Sequence, residues 1–78
     1  MIVKAMYYKP NLNGYGGRAY TFRTDLPLKA GDKVLAPGGE GDPKKAIITE
    51  VDLPEGVIDV RWADRVKYIT QYDAEVTA

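Results

Sequence analysis

Apolar residues along this chain fall in short runs broken by Gly, Pro and Asp, and most of the runs alternate with polar positions instead of recurring at helical spacing. That pattern predicts strands. Residues 1–8 alternate Val3, Ala5 and Tyr7 on one face with Ile2, Lys4, Met6 and Tyr8 on the other, and the first face is assigned to the core. Residues 10–17 are rich in Pro, Asn and Gly and predict a long loop. A second strand over 18–24 puts Tyr20 and Phe22 together on a buried face. Leu26 and Leu28 then flank Pro27 so that both side chains dip toward the core, and Gly31-Asp32 supplies the turn into a third strand, Lys33–Ala36. Residues 37–43 predict a flexible hairpin tip, and 44–52 a fourth strand. Beyond a turn at 53–56, Ile58 and Trp62 stand four apart, as on one side of a short helical turn that would plug one end of the molecule. Residues 66–72 read as a closing strand with Tyr68 on its core face, and 73–78 are expected to fray.

Together these elements predict a mainly β protein: one domain over 1–78, built as a small five-stranded SH3-like β-barrel with one short helical turn before the last strand. An α+β sheet with a true helix over 59–66 is the alternative. A chain of 78 residues removes only about 60% of its unfolded surface from water, so the core must be small.

Composition narrows the chemistry. With no cysteine and no histidine, the chain has neither disulfides nor thiolate or imidazole metal ligands, and Cys-His and Ser-His catalysis are excluded. The carboxylate pairs Glu50/Asp52 and Asp59/Asp64 read as solvated charges instead of acid and base. Neither Gly14-Tyr15-Gly16-Gly17 nor Gly38-Gly39-Glu40-Gly41 has the Gly-Lys-Ser/Thr ending of a phosphate loop. No enzyme activity, no cofactor and no metal are therefore expected. Without a leader-like start or a long apolar stretch, the expected location is the cytoplasm, with no membrane association.

The formal net charge is zero, which argues against bulk attraction to a polyanion, although the first half of the chain is basic and the second half acidic. Candidate binding residues are the exposed-face or loop tyrosines Tyr8 and Tyr15, the cations Arg18, Arg23, Lys44 and Lys45, and Trp62 beside Arg61, since Trp and Arg are enriched at interface hot spots.

Read together, Thr21-Phe22, the run Leu28-Lys29-Ala30-Gly31-Asp32-Lys33-Val34-Leu35-Ala36-Pro37, and Gly39 resemble the amino-terminal β-domain of the primosomal replication restart helicase. The resemblance spans residues 19–51 and implies a small β-barrel-like module that reads the 3′ end of a DNA strand. Arg23 stands where that family places an acidic residue. In length, and in its Leu-x-Leu-Lys-x-Gly-Asp step, the chain is also similar to small standalone β-barrel proteins of phages and prophages. The function expected is a non-enzymatic binding module, a phage or bacterial accessory protein that binds another protein, inhibition of that protein being one form the binding could take. Single-stranded nucleic acid is the alternative partner, and a homodimer through a sheet edge is a further option.

Overall fold

With Val3 and Ala5 fully buried on one face, the first strand, β1 (Ile2–Lys9), lies in the interior of the sheet and has antiparallel partners on both edges. The structure is a computed structural model that describes residues 1–38, 41–61 and 63–73. On one side β1 pairs with β2 (Gly14–Thr24), placing Val3 opposite Phe22 and Ala5 opposite Tyr20. On the other it pairs with β4 (Lys44–Glu50), placing Ala5 opposite Ile48 and Tyr7 opposite Ala46. The short β3 (Lys33–Ala36) lies antiparallel to β4, and β6 (Gln71–Tyr72) lies antiparallel to β3. Finally β5 (Tyr68–Ile69) runs parallel to the end of β2.

The result is one six-stranded sheet in the order β5-β2-β1-β4-β3-β6. Its outermost strands, β5 and β6, are separated in the chain by Thr70 alone, so the sheet rolls until both of its edges reach one short segment. The ladder does not close around that roll, and the five-stranded closed barrel expected from the sequence is corrected to this open six-stranded order. The physical reason is local: the halves of 68–72 meet neighbours of opposite direction, one parallel and one antiparallel, and the pairing breaks between them.

Val3, Ala5, Phe22, Leu28, Val34, Ala36, Ala46, Ile48 and Ile69 form the buried cluster, with Tyr7, Leu26 and Val51 against it. Leu26 and Leu28 do dip inward. Ile47 faces away from Ile48 and is only half-buried, as strand alternation requires. Two aromatics depart from expectation: Tyr20 is 45% exposed and Tyr68 53% exposed, while Ile69 is fully buried in the place assigned to Tyr68. Pairing with Thr24 sets the phase of β5, and Thr24, itself buried, donates from Oγ1 to the Ile69 carbonyl at 2.8 Å.

Several boundaries shift for identifiable reasons. The expected loop at 10–17 is shorter, because a 3-10 turn at Pro10–Leu12 followed by Asn13 in the left-handed region reverses the chain at once, and Gly14 already pairs with Lys9. Asp52, also at positive φ, follows the end of β4. The Gly31-Asp32 turn works as its composition implies: Gly31 has φ 96°, Asp32 Oδ2 accepts from the Lys29 amide at 2.9 Å, and the Gly31 amide donates to Ile48 O at 2.8 Å. Asp73 is buried, and its amide donates to Lys33 O at 3.1 Å, so it is held where fraying was expected. Among the described residues there is no α-helix. The short helical turn before the last strand is a 3-10 turn at Ala63–Arg65, a second lies at Glu55–Val57, and the alternative helix over 59–66 is not formed. Ile58 is buried; Trp62 and residues 74–78 lie outside the described residues.

Candidate binding groove

At one end of the rolled sheet the inner face of β1 and β2 emerges from the core and becomes the floor of an open groove of about 850 Å³. Tyr7 and Tyr20 project from it with ring centroids 5.5 Å apart and planes tilted by 57°. Phe22 meets Tyr7 edge-on at 6.3 Å, so three rings form one contiguous apolar floor. Tyr7 is the pinned member. Its Oη donates to the Pro37 carbonyl at 2.7 Å, and a Cβ at Gly38 would come within 3.1 Å of that oxygen, which favours glycine there. Burial, and secondarily Tyr20, pushes the Tyr7 phenol above its ordinary value, so it stays protonated and keeps donating.

Cations stand around this floor. Lys9 ends β1, Lys44 and Lys45 begin β4, and Arg65 and Lys67 lie on the segment that leads into β5. In the sheet order β5-β2-β1-β4 the aromatic strands are the middle pair, so basic side chains occupy both flanks of the groove. Among the described lining residues none is acidic. Several acidic side chains lie elsewhere in ion pairs: Glu55 with Arg23, Asp59 with Arg61 and Glu50 with Lys4.

Of the residues singled out in the sequence, the groove takes up Tyr8, Lys44 and Lys45. Tyr15 does not line it; it lies edge-on to Tyr8 at 5.4 Å, and its phenol is pushed up first by burial and then by Asp73, against an opposing effect of Lys45. Arg18 is exposed on β2 and outside the groove. Arg23 forms a bidentate pair with Glu55 at 2.8 and 3.0 Å, which raises its guanidinium further and lowers the Glu55 carboxyl. Arg61 is likewise held by Asp59, which also accepts from the Arg61 amide at 2.9 Å. Trp62 lies outside the described residues.

Sequence reading misses Tyr7, Tyr20, Lys9, Arg65 and Lys67 as groove residues. Strand alternation puts both tyrosines on the core face, and does so correctly for β1; what it does not convey is that the core face of a rolled sheet opens to solvent at the ends. Arg65 and Lys67, two apart where the 3-10 turn gives way to β5, carry the available signal.

Among the described residues no group of carboxylates is arranged to hold a metal ion, and no helix is long and apolar enough to cross a membrane. The chain matches no protein-family model, no curated protein and no solved structure.

Proposed function

We propose that this chain is a non-enzymatic binding module that holds an extended, negatively charged segment of a partner macromolecule in the groove floored by Tyr7, Tyr20 and Phe22. The observation that carries the reading is the arrangement of Lys9, Lys44, Lys45, Arg65 and Lys67 around an aromatic floor. Net neutrality counts against a polyanionic partner and in favour of a protein surface. What attracts a ligand is the local potential and not the sum over the chain, and the groove gathers five cations at one mouth. An acidic protein segment and a single strand of nucleic acid both fit this description. We read the rolled sheet as a variant of the SH3-like barrel, in which one terminal segment serves both edges. The 3′-end recognition implied by the helicase resemblance is not part of the proposal, since Arg23 is occupied by Glu55 and lies outside the groove.

The test is a panel of polyanions, namely poly-glutamate, inorganic polyphosphate and oligothymidylate, titrated by fluorescence anisotropy across a range of salt. At least one should bind, with affinity falling as salt rises; on a single strand the slope is about 0.7 log unit per log unit of salt for each phosphate neutralised. Replacing Lys44 and Lys45 together by Ala should weaken binding and flatten that slope. Absence of binding by every member, or an unchanged slope in the double variant, sinks the reading.

A further inference from the structure

Resting on that reading, we infer that the ligand is single-stranded nucleic acid, held with one base against the exposed ring of Tyr20 and its phosphates spread to the cations on either flank. Charge alone does not lead here, because a carboxylate-rich peptide would also be drawn to five cations. The floor decides. The half-exposed ring of Tyr20, backed by Tyr7 and the buried Phe22, is a surface on which a base can stack and for which a carboxylate has no use.

Tyr20 is built as a platform. It is 45% exposed, yet it lies on Tyr7, which is in turn fixed by its bond to the Pro37 carbonyl and by the edge contact with Phe22. A ring supported from below in this way needs little further ordering when a base settles on it. Its neighbours on the same strand face, Phe22 and Thr24, are buried, so this face opens to solvent at Tyr20, where it enters the groove.

Spacing across the sheet agrees. Lys44 and Lys45 stand on β4 and Arg65 with Lys67 before β5, with the two aromatic strands between them. A backbone crossing the groove meets a cation on each side while its bases turn toward the floor. A duplex cannot do this, because its base faces are already stacked on one another.

The decisive comparison is between an oligothymidylate of about twelve nucleotides and an abasic strand of the same length, which keeps the phosphates and removes the bases. Thymidylate should bind the tighter of the two, and both Tyr20→Ala and Tyr20→Leu should weaken it roughly 5- to 150-fold, the range for removal of one stacked base. Tyr20→Phe should bind as the parent does. The leucine variant keeps apolar contact with Tyr7, and circular dichroism of each variant reports that the fold is intact. Lys29→Ala, an exposed cation outside the groove, serves as the control and should leave affinity unchanged. Equal binding of thymidylate and abasic strands overturns the inference while leaving the polyanion reading in place. Tighter binding of poly-glutamate than of thymidylate overturns it in favour of a protein partner. If no polyanion binds, both readings fall together.

Discussion

Thr24 shows how a single side chain can join three segments. It is 1% exposed; its Oγ1 donates to Ile69 O at 2.8 Å and accepts from the Leu26 amide at 3.0 Å, while its own backbone amide donates to Met1 O at 2.9 Å. Replacing it with Val keeps the shape but leaves the buried Ile69 carbonyl and the part-buried Leu26 amide without that partner. Each orphaned group costs about 1–3 kcal/mol, so Thr24→Val should lower urea-unfolding stability by at least about 1 kcal/mol, and Thr24→Ser should restore most of it. A Val variant as stable as the parent would show that water satisfies both groups. Nothing in the residue string around Thr24 announces this role, because a strand threonine is ordinarily read through its propensity alone. The same holds for Tyr20 and Tyr68: alternation states which residues share a face, but which face stays buried at a strand's end depends on what covers it. Leu26, Leu28 and Gly31-Asp32 were legible, since their roles follow from φ, ring geometry and turn chemistry within a few residues.

Among the elements, the Arg23–Glu55 pair is a tie between β2 and the 3-10 turn Glu55–Val57, reinforced nearby where the Leu53 amide donates to Ile2 O at 3.0 Å. The pair holds the Glu55 carboxyl below its ordinary value, chiefly through the hydrogen bonds from Arg23. A carboxyl whose folded value is depressed contributes stability above its unfolded value, and that contribution disappears as pH falls through the folded one. Unfolding measured from neutral to acid pH should therefore show a small loss that Glu55→Gln removes, and carboxyl titration by NMR should place Glu55 below an ordinary glutamate. Because both groups face solvent, the effect should be small and shrink with added salt. The four longer strands were legible as elements, their bounds less so. Gly14–Gly17 reads as loop because glycine is poor at holding a strand, yet pairing to β1 extends it, with a register shift between Met6 and Tyr8 and Gly17 at φ 83° absorbing the irregularity. The break at Thr70 has no local signal at all, since it arises from the two neighbours that 68–72 meets.

For the molecule as a whole, the segment 68–72 is the point on which both sheet edges depend, and Ile69 is its anchor in the core. Large-to-small changes at such positions cost about 2–5 kcal/mol, against about 5–15 kcal/mol for the total stability of a domain, with a chain this short near the lower end. Ile69→Ala should thus bring the protein close to its unfolding threshold, whereas Val60→Ala, at a residue 88% exposed, should change stability by no more than about 0.5 kcal/mol. Since β5 holds one edge and β6 the other, loosening Ile69 should release both in a single cooperative transition, readable by denaturant titration with hydrogen exchange at Arg23 and Asp73. Two separable transitions would show that the edges are held independently. The same variant links stability to the groove: Arg65 and Lys67 enter β5, so a loosened segment carries away one cationic flank while Lys9, Lys44 and Lys45 remain. Ligand affinity should then fall even at temperatures where most molecules are folded, and its salt dependence should flatten with it. This joint behaviour lies beyond a reading of charge along the chain, because four of the five groove cations come from the half whose balance is acidic, and only the rolled topology brings them to one mouth.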